Sequence, residues 1–117
     1  MEPEIQDLIR KAYSAFNSRD IDTALSTFDP EIEWPKAFEG GYVQGHEEIR
    51  DYWTRQWLEI NPNVEPTQIQ KRPNGDYEVT VHQTVKDLDG NDIFNGTVKH
   101  IYTIKHHLLR KMDIELD

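Results

Sequence analysis

The sequence predicts an α+β fold, with three N-terminal helices packed on a strongly curved antiparallel sheet. Three observations carry this reading. Apolar residues recur at helical spacing in the first half, the pattern switches to strict alternation beyond residue 62, and Asn74-Gly75 and Asp89-Gly90 punctuate the alternating half as two-residue hairpin signals. Helices first and a meander afterwards give one layer of helices on one sheet.

Pro3 suits the first position of a helix, with Glu2 and Glu4 near its positive dipole end. Ile5, Leu8, Ile9, Ala12 and Phe16 form its apolar stripe, with Tyr13 beside them. Asn17-Ser18-Arg19 breaks the stripe, and Asp20 caps a short second helix that turns Ile21, Ala24, Leu25 and Phe28 inward before Pro30 stops it. Glu31-Ile32-Glu33-Trp34 alternates charge with bulk and reads as a short strand ended by Pro35. A polar loop with Gly40-Gly41 and Gly45 leads to a third helix from about His46 to Ile60. Ile49, Tyr52 or Trp53, Gln56, Trp57 and Ile60 form its stripe, and Asn61-Pro62 ends it. Tyr77, Val79, Val81, Gln83 and Val85 then share one face of a strand. Phe94, Gly96, Val98, His100, Tyr102 and Ile104 share one face of the next, and a turn at His106-His107 leads into the last strand, Leu108 to Leu116. Long strands of this kind twist and coil, so helices on the concave side leave a pocket suited to a small, mostly apolar ligand.

Composition narrows the function. The length of 117 residues fits one domain, residues 1–117, with no linker or repeat. Cysteine is absent, which removes disulfides, thiolate metal sites and Cys nucleophiles. A net charge of −9 disfavours nucleic acid and anionic membranes as partners. No membrane span or signal peptide is evident, so a cytoplasmic location is expected. Residues 1–60 hold 13 acids against 6 bases, whereas Lys99, His100, Lys105, His106, His107, Arg110 and Lys111 make a locally basic stretch near the end. That stretch reads as a solvated hairpin end or as a weak attraction for an anionic ligand. Mean hydropathy is low, −0.81, yet twelve aromatic residues supply apolar area, which leaves room for an interior that is partly a lined cavity. The histidines show no metal-ligand spacing, and no phosphate loop or serine elbow is present, so no metal or cofactor is expected.

Three segments carry a family resemblance: Ala12-Tyr13-Ser14-Ala15-Phe16-Asn17 with Asp20-Ile21-Asp22, Ile32-Glu33-Trp34-Pro35, and Gly45-His46-Glu47-Glu48-Ile49-Arg50-Asp51-Tyr52-Trp53. In this order, ahead of a four-stranded tail, they resemble the nuclear-transport-factor-like superfamily in its SnoaL-like and ketosteroid-isomerase-like branches. The resemblance spans nearly the whole chain and implies a cystatin-like α+β cone with an internal pocket. It says less about activity, because this fold carries cyclases, isomerases, hydrolases and inert binding modules.

Residue by residue, the resemblance puts Ala12 at the isomerases' oxyanion tyrosine, Trp34 at their proton-shuttling aspartate, His100 at their buried acid and Trp53 at a pocket tyrosine. An indole moves no proton, so ketosteroid isomerase chemistry is not expected. The SnoaL-like cyclases offer a closer match. Their histidine and aspartate on the last two strands correspond to His100 and Asp113, an acid–base pair for an intramolecular aldol closure. Pattern alone instead buries Met112, Ile114 and Leu116 and sends Asp113 to solvent. If the cyclase alignment holds, those apolar residues face outward beside Ile93 and Ile101, and a second copy of the chain covers them. The dyad and a homodimer through the outer sheet face therefore go together.

Two readings follow. In one, His100 and Asp113 transfer protons on an enolisable, largely apolar carbonyl compound, with Phe16, Trp34, Trp53, Trp57, Gln83, Val98 and Tyr102 lining the pocket and a titration felt between about pH 5 and 8. In the other, the same residues form a binding or dimerisation module without turnover, and His100 is a buried structural histidine. Gln83, polar on an apolar face, needs a partner in either case: His100, a water or a ligand.

Overall fold

A computed structural model describes residues 3–36 and 39–116. Its elements run α1 (Pro3–Asn17), α2 (Ile21–Ser26), β1 (Phe28–Pro35), β2 (Tyr42–Gln44), α3 (Gly45–Trp57), β3 (Ile60–Lys71), β4 (Tyr77–Asp87), β5 (Asp92–Lys105) and β6 (Leu108–Leu116). The strands make one six-stranded sheet in the order β2-β1-β6-β5-β4-β3, antiparallel except where β1 runs parallel to β6. The α+β reading and its three helices are as the sequence predicts. Three boundaries differ. The second helix ends at Thr27, whose N–H bonds Ala24 O, so Phe28 opens β1 and Pro30 lies inside that strand. The third helix stops at Trp57, and the following residues turn directly into β3. The third is β2, which lies in the stretch read as loop.

Both glycine hairpins form, with loops one residue longer than the two-residue signal. Arg72 N–H bonds Asp76 O and Gly75 N–H bonds Arg72 O, and the pattern repeats at Asp87, Gly90 and Asn91. Gly75 (φ 95°) and Gly90 (φ 91°) take the left-handed position that closes such a loop. Register shifts leave an extra residue at Thr67, Ile93 and Arg110 on one strand of successive pairs. Bulges bend a strand and add twist, which curls this sheet around the helices.

The concave face is the core. Ile5, Ile9, Ala12 and Tyr13 of α1 pack on Tyr77, Val79, Val81, Val98 and Tyr102, with Ile49, Tyr52 and Trp53 of α3 closing one side. On the convex face Arg72 joins Glu78 and Glu115 at 2.9 and 3.0 Å, and Ile101 is buried between Glu78 and Asp113 in register.

Candidate ligand pocket

His100 and Tyr102 sit two apart on β5 and so point to the same, concave face. Tyr13 comes down onto them from α1. Its hydroxyl lies 2.6 Å from His100 Nδ1, and the Tyr102 hydroxyl donates to the Tyr13 oxygen at 2.9 Å. All three side chains are buried, with Tyr13 stacked on the imidazole at 17° between planes.

Hydrogen-bond accounting assigns the protons along this chain. If Tyr102 donates to Tyr13, and Tyr13 to Nδ1, every buried proton has an acceptor and Nε2 carries the ring hydrogen. The reverse order strands the Tyr102 proton in the core, at about 1–3 kcal/mol. Among the described residues Nε2 has no hydrogen-bond partner, and His100 lines both inner cavities. Burial lowers the His100 pKa to about 4 and pushes both phenols above their ordinary range. The chain is thus neutral at pH 7, and its outward group is a neutral N–H donor. The titration expected between pH 5 and 8 moves below that window because His100 is desolvated without a carboxylate beside it.

Aromatic rings enclose this donor. Trp34 and Trp53 meet edge to face at 5.4 Å, Phe16 packs on Trp53 at 5.1 Å, and Phe28 lies under Trp34 at 5.3 Å. Three spaces run outward from His100. The innermost, lined by Tyr13, Phe16, Phe28, Trp34, His100 and Tyr102, is a cavity of about 30 Å³. The middle one, about 50 Å³, shares Phe16, Trp34, Trp53 and His100 with it and adds Gln83, Met112 and Ile114. The outer groove offers about 410 Å³ between Pro35, Tyr42, Gln83, Phe94, Val98 and Ile114, with Lys36 and Asp113 at its polar side.

The structure therefore brings His100, Phe16, Trp34, Trp53, Gln83, Val98 and Tyr102 to one connected set of walls. Trp57 is a backing residue, stacked on Phe16 and Trp53 with the Arg19 guanidinium 4.9 Å above its ring. Tyr13, Phe28, Tyr42 and Phe94 are wall residues that sequence reasoning did not single out. Tyr13 was visible only as the neighbour of Ala12, the position matched to the isomerase tyrosine.

Asp113 is not brought to His100. His100 pairs with Ile114 across β5 and β6, and Asp113 with Ile101, so the carboxylate projects from the other face of the sheet, and Asp113 borders only the outer groove. There it accepts a hydrogen bond from Tyr42, which reaches across β1. Apolar burial decides the register: Met112 is 1% exposed inside the cone, and turning Asp113 inward would turn Met112 out. Met112 and Ile114 thus do not form the outward patch that required a second copy. Part of the basic stretch is paired with acids: Lys111 and Arg110 face Glu33, Lys99 faces Glu78 and His106 faces Asp29. Among the described residues no cluster of metal-ligating side chains occurs, and no helix is long and apolar enough to cross a membrane.

A curved sheet closed by three helices around an aromatic pocket is the NTF2-like cone. An NTF2-like protein of unknown function from Burkholderia pseudomallei matches it at TM-score 0.84 and 18% identity, over 99% of this chain and 92% of that one. TerC, crystallised with polyporic acid, matches at 0.84 and 21%, over 97% and 92%. A candidate polyketide cyclase from Sinorhizobium meliloti matches at 0.76 and 20%, over 93% and 94%. At these identities the likeness is one of fold. Within that class the chain belongs to the SnoaL-like domain family, whose model matches residues 9–112. Among curated proteins, a GPI inositol-deacylase from Chaetomium globosum is 29% identical over an alignment 103 residues long that covers 79% of this chain and 9% of that protein. The chain thus spans less than a tenth of that relative's length.

Proposed function

We propose that this SnoaL-like domain binds a small, largely apolar carbonyl compound and holds its oxygen on His100 Nε2–H. The observation that carries the reading is the buried Tyr102–Tyr13–His100 chain, which presents a neutral, preorganised donor to an otherwise aromatic pocket. Such a donor is worth most where negative charge develops, so it favours enolisation or aldol closure by stabilising the enolate oxygen while solvent water takes the α-proton. A neutral imidazole does this without giving up a proton. Among the described residues no carboxylate lines the inner or middle space, so the histidine–aspartate dyad is replaced by a donor acting alone. The candidate cyclase of the same fold, and the TerC complex with polyporic acid, agree with a ligand of this kind.

A second reading, binding without turnover, is favoured by that missing base and by the tightness of the inner space. Tryptophan fluorescence titrated with aromatic methyl ketones reads occupancy, and loss of their α-proton NMR signals in D2O reads enolisation. Saturable quenching that weakens about fivefold or more in His100→Leu is expected, the worth of one hydrogen bond. Binding without exchange selects the second reading. Absence of saturable quenching removes both.

A further inference from the structure

Gln83 is the polar residue that the concave face of β4 does not use. Its neighbours on that face, Val79, Val81 and Val85, are fully buried, while Gln83 is half-buried and its amide has no partner among the described residues. It borders both the middle space, which reaches His100, and the outer groove, which opens to solvent. It stands opposite Gly96, and a Cβ on Gly96 would come 3.2 Å from the Phe94 ring. Phe94 therefore lies folded over Gly96, beside the amide, as an apolar wall of the groove.

We propose that Gln83 is a second ligand anchor, and that the ligand is an elongated carbonyl compound with a hydroxyl at its far end. The inference rests on the His100 reading for the near end. Gln83 pairs with Gly96, four residues along β5 from His100, which separates the two backbone positions by about 14 Å before their side chains reach inward. The middle space, which both side chains line, lies between them, so a ligand that touches both anchors spans it end to end. An amide offers two donors and an acceptor, which matches a hydroxyl that both gives and takes a hydrogen bond. The outer groove supplies the length: about 410 Å³ is in the range of small-molecule sites, and the inner spaces take only the carbonyl tip.

Two probes separate the anchors: 2-acetylnaphthalene, and 6-hydroxy-2-acetylnaphthalene with its hydroxyl at the opposite end. Their dissociation constants are read by tryptophan fluorescence on the wild type, Gln83→Met and His100→Leu, with near-ultraviolet circular dichroism confirming packing. The wild type is expected to prefer the hydroxylated ketone about fivefold, as one neutral hydrogen bond provides. Gln83→Met removes the preference and keeps the affinity for 2-acetylnaphthalene within about twofold. A wild type without preference, a preference that survives Gln83→Met, or equal weakening of both ketones overturns the proposal. His100→Leu weakens both ketones alike; if it weakens neither, the His100 reading fails whatever Gln83 does.

Discussion

At the scale of single residues, Tyr13 decides what kind of group the pocket presents. Its hydroxyl is at once the acceptor for Tyr102 and the donor to His100, so removing it strands two buried polar atoms, whereas removing the Tyr102 hydroxyl strands none. Tyr13→Phe is expected to cost roughly 2–4 kcal/mol and Tyr102→Phe about 1 kcal/mol, measured by urea unfolding. Equal costs would mean the protons run the other way. Long-range 15N NMR of His100 checks the same point, with the Nε2–H tautomer expected in the wild type. Why Tyr13 was hard to see in the sequence is physical. Positions 12 and 13 lie about 100° apart on a helix, and both fall within a broad apolar stripe. Periodicity cannot tell which of them carries a side chain long enough to reach across to β5. Asp113 shows the opposite case. The alternation of Met112 and Ile114 placed it correctly on the convex face, and the family resemblance pulled it inward.

At the scale of elements, the β5–β6 turn falls where the sequence places it, but its backbone conformation is the least expected. His106 and His107 both adopt left-handed backbone, φ 55° and 64°, without a glycine or asparagine to announce it. His106 has a reason to be there, since its Nδ1 lies 3.2 Å from the buried Asp29, whose pKa is held down first by the Glu31 N–H and also by this contact. His107 is exposed and makes no such bond. Replacing a non-glycine residue in this conformation relieves about 1 kcal/mol of strain, offset in part by the greater freedom of glycine when unfolded. His107→Gly is therefore expected to raise stability by about 0.5 kcal/mol, and His106→Gly to gain less or lose, because it gives up Asp29. The urea midpoints of the two variants check the order, and an equal gain in both would show that the Asp29 contact contributes nothing. The helices and the glycine hairpins were legible because capping, periodicity and Asn-Gly or Asp-Gly are local signals. The place of this turn was legible too, but not its left-handed backbone, and the three-residue β2 was read as loop, because neither carries a local residue signal.

At the scale of the whole molecule, the aromatic residues fill space more than they line it. The accessible surface, 6574 Å², is what a filled domain of this mass has, about 6,600 Å². The low apolar fraction in the sequence thus reflects large rings doing the packing, and the hollow lies outside them in the groove by Gln83. Putting an imidazole into so full an interior ties stability to pH. Its folded pKa, about 4, is below the ordinary 6.5, so between these values the unfolded chain holds more protons than the folded one. Stability then rises with pH through that window. The contribution is complete above about pH 6.5 and is lost as pH falls through 6.5 towards 4, amounting to about 3 kcal/mol if no other group compensates. Carboxylates such as Asp29 lose their own contribution lower down, so the variable to follow is a difference. The unfolding free energy of the wild type minus that of His100→Leu is expected to shrink steadily from pH 7 to pH 4, because the variant has no imidazole to protonate on unfolding. Parallel curves would mean that His100 titrates alike in both states, and that the pocket floor is wetter than its burial implies.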